Sequence, residues 1–248
     1  MSDVRLATCA AIERFERSSW LRFEVSDGRP LAFRGGQYVI VDTGLLLPDG
    51  KKRKRAYSIL SPDVDRTRFE LGVFRLPGGL ACEWLTQLPL GAELRFSGPW
   101  GKLRAPETSG SGSVWVIATD SGASAALGLC RGRDFAPHLA RTHVHWWTTT
   151  PGYFLSPDWV RQLAPSCAEV QLAPLSAIGS EARQTEVVTR TCELLRKDTP
   201  EQIYLLGDGQ IARSLALALP DLGIDPARLQ VESFFNHSER KSASIQAA

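Results

Sequence analysis

The chain has too few cysteines in the wrong places to build a metal or iron–sulfur centre. Its five cysteines, Cys9, Cys82, Cys130, Cys167 and Cys192, are odd in number and widely scattered. No pair has metal-site spacing, and no run resembles a cluster ligand set, so any iron–sulfur centre is expected on a partner. The four histidines do not compensate. His143 and His145 alternate onto one strand face, but no third ligand is apparent. No apolar run reaches the roughly 18 residues of a membrane-spanning helix. Met1-Ser2-Asp3-Val4-Arg5 lacks the apolar stretch of a signal peptide, and the expected location is cytoplasmic. Formal net charge is only +2, which gives no global reason to seek nucleic acid or an acidic membrane. The Gly-x-Gly-x-x-Gly fingerprint of dinucleotide folds is also missing.

What is present is enough apolar residue, 43 % of 248, for substantial cores in one large or two medium domains. Trp20 to Val25 alternates with period two, as a half-buried strand does. Gln37–Asp42, Ala56–Ser61, Arg68–Arg75 and Ala92–Ser97 read as further short strands. Leu45–Lys54 reads as a loop bending at Pro48-Asp49-Gly50, and Gly79–Leu88 as a short helix. Short strands with frequent turn signals predict an antiparallel β-barrel over residues 1–107. The small, polar Thr108-Ser109-Gly110-Ser111-Gly112-Ser113 is the expected linker.

Beyond it the pattern changes. Val114–Ala118 is a continuous apolar run, as for a strand covered on both faces. Further strands are expected at His143–Thr149, Ala168–Leu172, Ile203–Leu206 and Gln230–Phe235. Helices are expected after Thr119–Ser124, from Ser156-Pro157-Asp158, over Gln184–Lys197 and over Gly209–Leu219. Strand–helix alternation predicts an α/β domain with a five-stranded parallel sheet over residues 114–236. Residues 237–248 are expected to be a disordered tail.

Several stretches carry chemistry. Arg55-Ala56-Tyr57-Ser58 offers a fixed cation, a flat aromatic and a hydroxyl. Gly78-Gly79 opens a helix, where backbone amides favour an anion. Lys51-Lys52-Arg53-Lys54-Arg55 is a cationic run, readable as a solvated loop or as a docking surface for an acidic redox partner. The turn Thr119–Gly122 follows the first strand of the parallel sheet, where such folds bind ligands.

In this order, with Phe33-Arg34-Gly35-Gly36-Gln37-Tyr38-Val39 before, Gly98-Pro99-Trp100-Gly101 between and Glu232-Ser233-Phe234-Phe235 at the end, the chain resembles the ferredoxin–NADP reductase family from about Val4 to Asn236, without a fused iron–sulfur domain. The resemblance implies FAD bound through Arg55, Ala56, Tyr57 and Ser58, with Val73, Phe74 and Arg75, then Gly78, Gly79, Leu80, Ala81 and Cys82, and Thr119. Tyr57 would stack on the flavin, Ser58 would assist at its reactive nitrogen, and Phe235 would gate the nicotinamide. NADPH or NADH would lie along Ser121, Gly122, Thr149, Ser176, Arg183, Gly207 and Asp208. The implied reaction is hydride transfer from the nicotinamide to flavin, then electron transfer to a ferredoxin or flavodoxin, docking at Lys51, Lys52, Arg53 and Lys54, or to an oxygenase or P450 system.

The chain departs from the family at informative places. Cys82 stands where a Ser or Thr hydroxyl is usual, Asp120 where Gly is usual, and Ala125 where Pro is usual. Ser176-Ala177 replaces the Ser-Arg that grips a 2′-phosphate, leaving Arg183 as a substitute or as a surface residue. Leu206-Gly207 replaces Cys-Gly. Two alternatives stay open on this basis: an electron-transferring flavoprotein subunit with impaired nicotinamide binding, and a non-enzymatic flavin-binding module.

Overall fold

The computed structural model describes residues 4–75, 78–107, 110–148, 166–167, 169–175, 181–198 and 200–235. By their contacts the residues form two units. The first holds Met1–Glu107 with Leu127–Pro137; the second holds Thr108–Ala126, His138–Thr150 and the chain from Ser166 onward. The segment Leu127–Pro137 thus groups with the first unit although it is remote in sequence. There the Arg133 amide donates to Asp63 at 3.0 Å and the Arg131 guanidinium to the Leu60 carbonyl at 2.9 Å.

The first unit is built on six antiparallel strands: β1 (Arg5–Arg14), β2 (Ser18–Val25), β3 (Tyr38–Leu46), β4 (Lys52–Ser58), β5 (Arg68–Phe74) and β6 (Glu93–Trp100). They pair in the order β4-β3-β6-β1-β2-β5. Ile59, just past β4, bridges to Leu71 of β5 and brings the two ends of the sheet together. Alternation decides what goes inside: Leu21, Phe23, Val39, Val41, Phe69, Leu71, Leu94 and Phe96 form the core. The helix α1 (Leu80–Thr86) adds Cys82 and Leu85 to it.

Two differences from the sequence reading have simple causes. Strand β1 carries no apolar alternation to mark it; its inward residues are Ala7 and Cys9, which are small. The expected loop Leu45–Lys54 is a hairpin, with β3 running to Leu46 and β4 starting at Lys52. A run of cations reads as loop, yet on an outer strand it is compatible with pairing and keeps the edge from recruiting another chain.

The second unit is a parallel sheet of β7 (Val114–Thr119), β8 (Thr142–Thr148), β9 (Glu169–Pro174), β10 (Gln202–Asp208) and β11 (Leu229–Phe235). Helices α2 (Gly122–Cys130), α3 (Glu181–Leu195) and α4 (Gly209–Ala218) connect or flank them. Strand order is β11-β10-β7-β8-β9. Successive strands run outward on one side from β7 to β9, then on the other from β10 to β11, so the order reverses between β7 and β10. Every residue of β7 is buried, as its unbroken apolar run requires. The helix expected from Ser156 and the tail from 237 lie outside the described residues. No helix among the described residues is long and apolar enough to cross a membrane.

At the reversal the two strand ends touch. A Cβ on Gly122 would lie 2.2 Å from the Leu206 carbonyl oxygen, and one on Gly207, whose φ is +119°, would lie 2.4 Å from the Thr119 carbonyl oxygen. Both contacts are with backbone, which cannot swing aside. Gly122→Ala is therefore expected to destabilise the protein by about 1–3 kcal/mol, as overpacking does. A urea unfolding curve measures this, and an unchanged midpoint would contradict so close an approach.

Candidate functional site

The barrel half of the site grows from β4. Tyr57 pairs with Val39 and Arg55 with Val41, both buried, so the Tyr57 ring turns toward the core and packs on it. Burial raises the Tyr57 phenol well above its ordinary range; the neighbouring Cys82 adds to the shift and Arg55 opposes it. These three residues thus lie within electrostatic reach of one another. Arg55 is exposed and donates to the Lys54 carbonyl at 2.8 Å. Ala56 is exposed, and Ser58 is buried on the strand's other face, paired with Tyr38.

Val73 and Phe74 end β5 with buried side chains, Val73 within the barrel core. Arg75 is exposed, and its amide donates to the Arg17 carbonyl at 2.8 Å. Gly78 adopts φ +69°, with open space where a Cβ would stand. Gly79 is the N-cap residue of α1 and brings no side chain to the helix's first amides. The Cys82 thiol gives its hydrogen to the Gly79 carbonyl at 2.9 Å, across the first turn of α1. Leu80 is exposed, and Ala81 and Cys82 are buried. An uncapped helix start, open space at Gly78 and an exposed guanidinium suit a bound pyrophosphate.

In the second unit, four of the residues singled out from sequence converge at the carboxyl ends of β7 and β10. The Thr119 hydroxyl accepts the Asp208 amide at 2.7 Å. Gly122 and Gly207 permit the close approach described above. The Asp208 carboxylate caps α4, accepting the Gln210 and Ile211 amides at 2.9 and 3.3 Å. It is occupied as a helix cap. The Ser121 hydroxyl is buried at the same turn with no partner among the described residues, a polar group suited to a ligand oxygen.

Asp120 resolves the charge problem that its presence raises. It takes a left-handed conformation, φ 45°. Its carboxylate is paired with the Arg183 guanidinium, which is 2 % exposed. Its backbone is pinned on both sides: the amide donates to the Trp147 carbonyl, and the carbonyl accepts the Trp146 indole N–H, each at 2.9 Å. Arg183 is therefore not the surface arginine that the sequence left open. Trp146 and Trp147 are both buried core residues. Thr149, Ser176 and the side chains of Phe235 and Lys52 lie outside the described residues.

Glu232 was noted from sequence only as an acid near the chain's end. It lies on β11 opposite Leu206. Burial raises its carboxyl from 4.5 to about 7, and its Oε1 has no partner among the described residues. The signal that finds it is structural: its burial, which the sequence reading of an acid and aromatics at the end of the last strand did not give. A cavity of about 420 Å³ is lined by His145, Trp147, Gln171, Pro174 and Arg190, and runs from the middle of β8 and β9 to their carboxyl ends. Arg190 covers its Trp147 floor, 4.5 Å from the ring centre.

Residues 14–104 match the oxidoreductase FAD-binding domain family. The chain is 29 % identical over 247 residues to ferredoxin–NADP reductase B of Sorangium cellulosum, covering 94 % of this chain and 97 % of that one. It is 34 % identical over 106 residues to the reductase subunit of an aromatic O-demethylase from Amycolatopsis, covering 41 % of this chain and 30 % of that one. Among solved structures, the FAD/NAD-binding domain of the nitric oxide dioxygenase from Vibrio cholerae superposes with a TM-score of 0.70 at 17 % identity, over 93 % of this chain and 98 % of that one. At that identity the likeness speaks for the fold.

The raised Glu232 carboxyl makes stability depend on pH. Between pH 4.5 and about 7 the folded chain keeps a proton that the unfolded chain has lost. The stabilisation is complete below pH 4.5 and is lost as pH rises through 7. Glu232→Gln removes the dependence, so the wild type should lose melting temperature relative to the variant between about pH 5 and 8. Parallel melting curves would show that Glu232 is not desolvated.

Proposed function

Since the chain belongs to the ferredoxin–NADP reductase family, we propose that it is an FAD-dependent oxidoreductase that takes electrons from NADH or NADPH. It passes them to a ferredoxin- or flavodoxin-type carrier, or to an oxygenase or P450 system. The observation that carries this is the FAD-binding domain at residues 14–104, followed by a parallel sheet whose strand order reverses between β7 and β10. We assign residues 1–107 to FAD and residues 114–236 to the nicotinamide nucleotide.

FAD, when bound, supplies the conversion between two-electron and one-electron transfer. The chain's residues bind and orient it. Arg55 and the uncapped amides of α1 hold the pyrophosphate. Tyr57, fixed against the core, offers its ring as a stacking surface, and Ser58 offers a hydroxyl to the reactive edge. Ser121, Gly122, Gly207 and Thr119 shape the turn for the nucleotide. Phe235 receives its gating role from the family resemblance. Pairing with Arg183 cancels the Asp120 charge, so this carboxylate no longer argues for a subunit that has lost nicotinamide binding.

We assign the docking of the carrier to the cationic hairpin. Lys51 and Lys54 are exposed there, and Lys51 meets the exposed Asp49 in a salt bridge at 2.9 Å. An exposed pair of this kind holds a cation weakly and leaves it available to an acidic surface.

Anaerobic titration of the purified protein with NADH and NADPH, followed at the flavin absorption band, tests the main reading. Bleaching by either supports it. A yellow protein bleached by dithionite alone would favour the electron-transfer subunit, and a colourless protein that takes up no FAD would sink the flavin assignment. Arg55→Gln is expected to weaken FAD binding roughly tenfold or more, the scale of one charge-assisted hydrogen bond, as read by fluorescence of released flavin. Lys51→Glu/Lys54→Glu is expected to raise the KM for an acidic carrier and to flatten its salt dependence. An unaltered salt profile would place the carrier elsewhere.

A further inference from the structure

The cavity of about 420 Å³ lies wholly in the second unit and serves no step of the electron transfer proposed above. Its floor is one face of the sheet. His145 and Trp147 of β8 lie opposite Gln171 and Ala173 of β9, and alternation puts all four on the same side. Its wall is α3 with the turn that follows. Arg190, Leu194 and Lys197 line it, spaced four and three residues apart on one helix face. Strand β9 is the sheet's edge, so among the described residues no further strand extends the floor. Helix α3 leads from the carboxyl end of β9 to the amino end of β10, which places Lys197 at the end of the cavity away from the turn Thr119–Gly122.

Two of the floor residues have unanswered polar atoms. His145 is 4 % exposed and Trp147 1 %, with ring centres 4.4 Å apart. His145 Nε2 and Trp147 Nε1 have no hydrogen-bond partner among the described residues. Unpaired buried polar groups are rare and costly, and two in one cavity floor ask for a partner inside it. Burial lowers the His145 imidazole from 6.5 to about 4, and Arg190 adds to the shift. The ring is therefore neutral at ordinary pH and can carry its hydrogen on Nε2.

The wall supplies charge. Arg190 is engaged: it pairs with Glu186 at 2.9 Å, donates to the Pro174 carbonyl and lies over the Trp147 ring. Lys197 is exposed and has no partner among the described residues. Glu193 also lines the cavity, so two cations stand against one acid there. We propose that this cavity is a binding site for a planar aromatic carboxylate. The carboxylate faces Lys197 and accepts from His145 Nε2, and the ring runs past Leu194 to Trp147. The site is separate from the one assigned to the nicotinamide nucleotide and does not depend on it.

The test is calorimetric titration of the full chain, with FAD present, by trans-cinnamate and by its neutral amide. Cinnamate is expected to bind with a Kd of about 1 mM or below, and the amide about threefold more weakly, the scale of one exposed charge. Lys197→Gln should abolish that preference and leave the melting temperature unchanged. Proton–nitrogen NMR locates the site. Of the indole N–H signals of the seven tryptophans, the one missing from Trp147→Phe should shift when cinnamate is added. Should Trp147→Phe fail to fold, Gln171→Trp, at an exposed position of the floor, fills the cavity and should weaken cinnamate binding about tenfold.

Absence of binding up to about 10 mM cinnamate overturns the inference and leaves water as the partner of both ring nitrogens. Equal affinity of the wild type for acid and amide also overturns it, since Lys197 would then read no charge. Binding that leaves both the Trp147 signal and the Gln171→Trp affinity unmoved belongs to another site on the chain and overturns it too. None of these readings involves a nicotinamide nucleotide, so the proposed function stands or falls separately.

Discussion

The Thr119 hydroxyl, which accepts the Asp208 amide at 2.7 Å, ties together the two strands between which the parallel sheet changes direction. Strands β7 and β10 are far apart in sequence, and their ends meet only because Gly122 and Gly207 remove the side chains that would keep them apart. Once Thr119 fixes Asp208, its carboxylate is aimed at the first amides of α4 and caps that helix. The same close approach fixes the start of α2 and hence the turn carrying Asp120 and Ser121. Two helix starts and the turn between the strands thus depend on a contact made mostly of backbone.

The barrel has a corresponding constraint in β4. Tyr57 faces the core with Val39 beside it, and Ile59 leaves β3 to pair with β5. A one-residue slip would send Tyr57 outward and Ser58 inward, and would break the closure at Ile59. The register that seals the barrel is therefore also the register that presents Arg55, Tyr57 and Ser58. The placing of these three side chains needs no separate device, because core packing enforces it.

Much of this was legible in the sequence. Alternation marked β2, and the apolar run marked β7. Arg55, Tyr57, Ser58, Gly78 and Gly122 could be named because their residue types and order carry chemistry. Strand β1 was not legible, since Ala7 and Cys9 bury little apolar surface and give no periodic signal. Nor was the partnership of Asp120 with Arg183. The two are remote in sequence, and each taken alone reads as a departure from a pattern. Likewise Cys82 could be placed at a helix start, but not its bond to Gly79, because a thiol's direction depends on what packs around it. Periodicity reports which face is buried; it does not report which charges or hydroxyls meet across the fold.

The pairing of β1 has a consequence for synthesis. Arg5–Thr8 lie against Glu93–Phe96, so the first strand borders the last strand of the barrel. While the chain is being made, β1 and β2 can form a hairpin, but that hairpin's other edge stays open until nearly a hundred residues have emerged. At ordinary elongation rates this interval lasts roughly 5–20 s. During it a strand with small inward residues offers unpaired backbone to any neighbouring chain. The nascent barrel is thus most prone to aggregate before its final strand leaves the ribosome, and slower translation just ahead of Glu93 would lengthen that exposure.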